Sequence, residues 1–575
     1  MTISQAPSAW KTPAWLVPTA TIKSTSSARR RRIVTAALAI GALSVLPIAC
    51  FTLMPSSTFA ALGTFIPSLS GPLPPQHDLF GIPGFGSDVE IAFMDIYFNE
   101  TTTRDADSIP IAQNLAGADM ESAFTTFQLD NPNLTNGSSS SNSTPSPDEY
   151  ILSQRKQGAA TRTVTAQIAP RHNGRVDASH ITFGLATSLD RISGTVRNVQ
   201  HWAAGTDARF IIVLIPRKDG SAGDDNDINN NGPSSIDEAE ALFAAAGVPH
   251  VTFIPQQQDD PKNAWENAYM SLITHFHASL TPKGGKKTTR WVSWIDDDTF
   301  FPSLPALTST LSTRFGDADR QPYYVGQMSE RYEYVRDGGI VAFGGAGVFL
   351  SVPLLEQLAL HADACFRHER HDTFTGGDFR LADCVHRWTT TKLSPLEGLH
   401  QLDFGGDASG FYEAERAQPL SVHHWKSWHA FDMPEIARVG EVCGDACILQ
   451  HFRLGGRGQW AMTNGFSIVR YSTGYRRVDS IAAARERDVD TQGRTEEIEV
   501  PGAMEKTWDT TRRDAKDMWE YSLEPLMDKD SGKRQYLLEK LERDAEGNMV
   551  VDYVHREEGV GRGLIRVRLM AITPA

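Results

Sequence analysis

From about residue 180 onward, apolar residues in this chain gather into short unbroken runs separated by longer mixed stretches. Ile181 to Ala186, Phe210 to Ile215 (FIIVLI), His250 to Ile254 and Trp291 to Ile295 are such runs. Each reads as a strand; Phe210 to Ile215 is apolar on both faces, as parallel-sheet material is, and Trp291 to Ile295 reads as a buried central strand. Helical patterns lie between them: from Thr187-Ser188-Leu189-Asp190-Arg191 to Trp202, from Ser235 to Ala246, and from Ala264 to Leu280. Strand and helix in alternation predict a parallel sheet with helical crossovers. Further on, Tyr323 to Gly326 reads as a strand and Gly338 to Ser351 as a glycine-rich turn entering an apolar segment. Thr375 to Val385 places Asp378 at a helix start ahead of Leu381 and Cys384.

The flanks read differently. Residues 1 to 28 are rich in Ser, Thr, Ala and Pro without periodicity, which predicts a disordered tail. Ile33 to Met54 is an uncharged, mostly apolar stretch of 22 residues directly behind Arg29 to Arg32. That is about the length needed to cross a hydrocarbon core, and the arginines put the N-terminus on the cytoplasmic side. The expectation is a transmembrane helix acting as a type II anchor. Its rivals are a cleaved signal peptide ending near Thr58-Phe59-Ala60 and a buried core helix. Pro55 to Ile168 holds Pro and Gly clusters and the run NPNLTNGSSSSNSTPSP at 131 to 147, and reads as a stem. Asn99, Asn133, Asn136 and Asn142 each open an N-x-Ser/Thr triplet within it. Near the C-terminus, Val550 to His555 and Leu564 to Leu569 flank a glycine-rich turn, a β-hairpin signature. The expected division is a tail at 1–32, an anchor at 33–54, a stem at 55–168, a catalytic domain at 169–475 and a small β-containing accessory region at 476–575.

Charge and cysteines narrow the partners. A chain of 575 residues with a net charge of −15 and one dense basic run is a poor match for nucleic acid. Outside the apolar segment the cysteines are Cys365, Cys384, Cys443 and Cys447. Disulfides between the sequence neighbours are expected, with a zinc site as the lesser alternative because no C-x-x-C pair occurs.

The chemistry gathers where the Trp291 run ends, at Asp296, Asp297 and Asp298. Adjacent carboxylates beyond a core strand repel one another and need a cation, amide donors or solvent. A divalent metal meets that need and leaves positions for substrate phosphates. An acidic turn capping the next helix is the plain alternative. Ser421 to His429 (SVHHWKSWH) adds three histidines and two tryptophans, a second possible source of metal ligands.

In order, the Asp296-Asp297-Asp298 triplet, Gly344-Gly345-Ala346-Gly347, Gly377-Asp378 and His423-His424-Trp425 resemble the motifs of the Fringe-like β-1,3-glycosyltransferases, family 31. FGLATSLDRI and WAMTNGFSIVRY resemble its fungal branch, and the likeness spans roughly 179 to 475. The resemblance implies a GT-A type α/β fold with a mostly parallel central sheet, a UDP-sugar donor, and inverting transfer of a hexose or N-acetylhexosamine to a glycan or glycoprotein hydroxyl. It also implies Mn²⁺ or another divalent cation as cofactor, and a Golgi type II membrane protein with a lumenal catalytic domain. By position, Asp296, Asp298 and His424 match metal ligands, with His423 the near alternative. Asp378 matches the catalytic base, and its plain alternative is a helix N-cap. Thr187, Arg191 and Asp297 match donor-nucleotide positions, and Gly345, Ala346 and Gly347 line the sugar side. The family commonly has two acids at the base motif; here Gly377 precedes Asp378, which leaves Asp383 and Asp372 as substitutes. A carbohydrate-binding protein that has lost catalysis is the rival reading.

Overall fold

The computed structural model describes residues 77–571, apart from 102–111, 116, 121, 131–145, 158–160, 171–174, 217–231, 257–262, 281–288, 367–375, 404–407, 414–415, 456–459, 472–476, 479–503, 506–525 and 528–532. These all belong to one compact unit, Pro75–Ala575. The tail, the expected anchor at Ile33 to Met54, Asn133, Asn136, Asn142 and Asp372 lie outside the described residues. Among the described residues, no helix is long and apolar enough to cross a membrane.

The expected α/β alternation is present. We label its strands β1 (Ile181–Thr187), β2 (Arg209–Leu214), β3 (Val251–Pro255), β4 (Trp291–Trp294), β5 (Tyr324–Gly326), β6 (Val348–Ser351) and β7 (Leu393–Pro395). They form one sheet in the order β7-β5-β6-β4-β1-β2-β3. Pairings are parallel from β3 through β2 and β1 to β4, and between β5 and β7, whereas β6 runs antiparallel to both neighbours. The apolar runs of β1, β2 and β4 follow from burial on both faces, whereas in the edge strand β3 only Phe253 is buried. In β4, Trp291 faces one hydrophobic core while Val292 and Trp294 face the other.

Three helices matter for the site: α1 (Ile192–Ala203), α2 (Ala264–Ser279) and α3 (Gly377–Trp388). In β1, Gly184 has no side chain because a Cβ there would lie 2.3 Å from the ring of Phe276 on α2. That close seat lays α2 against the sheet. The Cys365–Cys384 disulfide ties α3 to the short helix Ala362–Phe366, and Cys443 pairs with Cys447. Both are the neighbour pairings expected, and they leave none of the four thiols for zinc.

The expected stem and accessory region meet in a second sheet. The 19-residue strand Ile82–Glu100 pairs in parallel with Val560–Ala571 on one edge and with Arg162–Ile168 on the other. Val560–Ala571 continues through Met549–Glu557 and Lys533–Arg543 to Ser467–Tyr471, the last strand of the expected catalytic segment. Among its described residues, which begin at His77, the expected stem is therefore folded. Its strand escaped notice because Asp95 interrupts an otherwise apolar run, IAFMDIYF. That carboxylate is neutralised inside the sheet by Arg155 at 3.0 Å and Arg568 at 2.9 Å. The hairpin closes on Glu558 and Gly559, both with positive φ, a tighter turn than the glycine-rich stretch suggested. Residues of both sheets share one core, Phe98 and Tyr553 among them with Phe183 and Phe210.

Candidate active site

In the site sheet the chain moves outward from β1 through β2 to β3, then returns to the other side of β1 with β4. This reversal opens a crevice beyond the carboxyl ends of β1 and β4, where open α/β sheets bind ligands. Thr187 ends β1 and the aspartate triplet follows β4, so both reach that crevice.

The three aspartates do different things. Asp297 is buried, and both of its oxygens are taken: Thr187 Oγ1 donates at 2.7 Å, and Arg191 grips it with Nε at 2.6 Å and Nη2 at 2.7 Å. Asn198 on α1 donates to the Asp297 and Thr299 carbonyls at 3.0 and 2.9 Å. Thus Thr187, Arg191 and Asp297, the three residues expected to meet a nucleotide, meet one another. A carboxylate turned into the core needs this pairing, and sequence position alone does not show which way the middle side chain of a triplet points.

Asp298 turns the other way, toward the histidine loop. His423 Nε2 lies 3.0 Å from Asp298 Oδ1 and 3.2 Å from Asp296 Oδ2. Trp425 fixes the turn by donating its Nε1–H to the Asp298 carbonyl at 2.5 Å. Asp298, His423 and His424 each bring a ligand atom within 4.8 Å of the others. The structure thus gathers both candidate histidines, with Asp296 joined through His423. Burial opposes charge on Asp298, but the neighbouring His423 outweighs it and holds the carboxyl well below its usual range. Burial likewise opposes charge on His423, and Asp298 outweighs that, raising its pKa well above normal. A proton on His423 Nε2 therefore sits between two carboxylates, in the place a cation would take.

The donor set fits a divalent transition metal such as Mn²⁺. His423 Nδ1 faces the Gln401 carbonyl at 3.1 Å, which fixes the proton there and makes Nε2 the ligand nitrogen. His424 presents Nε2 to Asp403 Oδ1 at 3.0 Å, leaving Nδ1 for a metal, and Ser329 in turn holds Asp403 at 2.6 Å. Burial, with repulsion from His423, lowers the His424 pKa and keeps the ring neutral as ligation requires. His424 has φ 54° and stacks at 3.8 Å on Trp428, whose ring is otherwise half-exposed. Left-handed backbone at a histidine costs on the order of 1 kcal/mol and marks a position held for a purpose.

Across the crevice, Asp378 opens α3. Its Oδ1 accepts from Tyr269 OH at 2.6 Å and from the Gly344 amide at 2.7 Å. It caps the Gly344 turn rather than its own helix, whose cap residue makes no side-chain hydrogen bond. Enclosure of the carboxyl, reinforced by the nearby Asp296, pushes its pKa up to about 7. That is the range a general base needs at neutral pH. Gly344 to Gly347 join the two halves. Thr299 donates to the Gly345 carbonyl at 3.0 Å, and Gln401 accepts from the Ala346 amide at 2.8 Å. A Cβ on Gly345 would lie 2.2 Å from the His423 ring, so glycine is what lets the Asp298–His423–His424 cluster close against the turn. Asp383 is occupied elsewhere, in an ion pair with Arg387 at 3.0 Å.

Tyr269 was invisible to sequence reasoning because it sits in an ordinary amphipathic helix. A signal existed in Gly377: a Cβ there would lie 2.7 Å from the Tyr269 ring, so the glycine preceding Asp378 marks a bulky neighbour.

Residues 338–442, which span the glycine turn, Asp378 and both histidines, match the model of a family described as a protein of unknown function, DUF604. A search of curated proteins finds no match. Among solved structures, the chain is similar to the galactosyltransferase LgtC in complex with donor and acceptor sugar analogs, at 14% identity over 44% of this chain and 84% of that one, TM-score 0.26. It is also similar to the glycosyltransferase GlyE of Streptococcus pneumoniae TIGR4, at 11% identity over 46% and 60%, TM-score 0.27. A third is a glycosyltransferase involved in glycosylation of the major capsid of PBCV-1, at 10% identity over 42% and 94%, TM-score 0.24. Likenesses this remote carry no argument about residues or chemistry.

Proposed function

We propose that the protein is a metal-dependent glycosyltransferase that moves a hexose or N-acetylhexosamine from a UDP-sugar to a glycan or glycoprotein hydroxyl, with inversion. The observation that carries this is one crevice holding a carboxylate and two histidines in ligand geometry opposite a carboxyl whose pKa lies near 7. The Fringe-like order of motifs supports it, as does the match to DUF604, a glycosyltransferase-like family.

Asp298, His423 and His424 would hold the cation, with Asp296 beside it. Bound there, a dication supplies charge stabilisation to a departing diphosphate. Asp378 takes the proton from the acceptor hydroxyl as its O–H bond breaks. The oxygen then bonds the anomeric carbon while the bond from that carbon to the diphosphate oxygen breaks, and that electron pair leaves with UDP. Gly344 to Gly347 border both groups and shape the sugar's place between them. The setting we propose, an anchored Golgi enzyme facing the lumen, rests on Arg29 to Arg32 ahead of Ile33 to Met54.

The test is calorimetric titration with UDP in the presence and absence of Mn²⁺, alongside UDP-sugar turnover, against Asp298→Ala. Metal-dependent binding and turnover lost in the variant support the reading. Turnover that survives chelation sinks it, and saccharide binding with no transfer to any acceptor favours the binding-protein alternative.

A further inference from the structure

We infer that Tyr269 is the positioning residue of the base: its hydroxyl holds Asp378 by one oxygen and leaves the other to take the proton. This rests on the transferase reading above and adds to it a residue from outside the motifs.

The geometry is asymmetric. Tyr269 OH and the Gly344 amide both donate to Oδ1, at 2.6 and 2.7 Å. Two donors on one oxygen set the plane of the carboxylate and direct the lone pairs of Oδ2 elsewhere. A base whose oxygens were interchangeable would lose part of the orientation that proton transfer needs.

Tyr269 is itself anchored at both ends. Its side chain is buried, and its backbone carbonyl accepts from Trp294 Nε1 at 3.0 Å, so the strand that delivers the aspartate triplet also fixes the residue that holds the base. Two glycines make room for it. A Cβ on Gly377 would meet the ring at 2.7 Å. A Cβ on Gly344 would lie 2.7 Å from the hydroxyl and 3.2 Å from Asp378 Oδ1. The chain has therefore given up side chains on both sides of the Tyr269–Asp378 contact. The ring fills the space beside the residue preceding the base, where the Fringe-like pattern has a second acid.

The groups facing Asp378 are Tyr269 from α2, the Gly344 amide from the turn, and the charges of Asp296 and Asp403 from the loops beyond β4 and β7. Of these, Tyr269 and Gly344 favour the ionised form and the two aspartates oppose it. Tyr269 stays protonated throughout, because burial and then the Asp378 charge raise its own pKa well above normal.

The experiment compares full-length wild type with Tyr269→Phe, which keeps the ring and removes only the donor. Two readouts are taken: the carboxyl titration of Asp378, followed by ¹³C NMR on aspartate-labelled protein and assigned with Asp378→Asn, and the pH dependence of UDP-sugar turnover. Loss of one hydrogen bond to a charged group predicts an upward move of the Asp378 midpoint by about one pH unit. The acidic limb of kcat should move with it, kcat should fall about tenfold or more, and KM and Mn²⁺ affinity should stay unchanged. An unmoved midpoint, or an unmoved limb at full rate, overturns the inference. Unchanged Mn²⁺ affinity shows that the variant folds. If wild type turns over no UDP-sugar, the transferase reading fails by itself, and the midpoint still decides whether Tyr269 sets the state of Asp378.

Discussion

Replacing Asp378 by Asn should make the protein more stable at alkaline pH while abolishing turnover. The carboxyl has a folded-state pKa of about 7 against an ordinary 3.8, a rise caused chiefly by burial. A raised acid is protonated in the folded state at pH values where the unfolded chain has already released its proton, so stability falls as pH rises from about 4 through about 7. Above that it levels off. A difference of about three pH units corresponds to on the order of 4 kcal/mol. Residual solvent contact at Asp378 reduces this, so 2 to 4 kcal/mol is the working range. Asparagine can still accept from Tyr269 and Gly344 but has no charge to bury. The variant should therefore match wild type near pH 4 and exceed it by roughly 2 to 4 kcal/mol at pH 8.5. Denaturant titration at the two pH values reads this difference directly. Equal offsets at both pH values would refute the claim that the charge on Asp378 is held against burial.

Three more outcomes follow from the same site. Arg191→Ala should lower stability by about 3 to 5 kcal/mol, because it leaves the Asp297 carboxylate buried without its cation; a thermal scan showing no change would return Arg191 to a ligand-binding role. Gly345→Ala should abolish Mn²⁺ binding while the protein stays folded, since the added methyl displaces the His423 ring; circular dichroism with metal titration separates the two effects. Mn²⁺ binding at pH 7 should release about one proton, because His423 carries one in the cation's place. Calorimetry in buffers of different ionisation enthalpy counts it, and zero protons released would contradict the state assigned to His423.

Much of the site sheet was legible in the sequence. Ile181–Thr187, Arg209–Leu214 and Trp291–Trp294 fall where apolar runs predict them, because burial on both faces writes itself into nearly every residue of a strand; Val251–Pro255, at the sheet edge, also falls where expected although only Phe253 in it is buried. The triplet, the glycine turn, Asp378 and the paired histidines were likewise visible as motifs, and the fold brings them to one crevice. Direction was not legible. That Asp297 turns inward to Arg191 while Asp298 turns toward His423 depends on backbone angles that residue type does not encode. Tyr269 was hidden for a related reason, since its function lies in where its helix packs. Of the second sheet, the C-terminal hairpin was legible, but the long strand Ile82–Glu100 was missed because Asp95 breaks its apolar run and finds its arginines on the helix Pro147–Gln157 and on the sequence-distant strand Val560–Ala571.

The pairing of Ile82–Glu100 with Val560–Ala571 bears on the order in which the molecule can be made. The first of these strands leaves the ribosome more than four hundred residues before its partner, yet the two lie side by side for most of their length. Until residues 560–571 are synthesised, an apolar strand edge stands open, the kind of surface that recruits chaperones or pairs with the wrong chain. Contacts this distant in sequence also form slowly. Translation stopped short of residue 560 would thus leave the Asp298–His423–His424 cluster encoded in full and the protein's larger sheet unable to close.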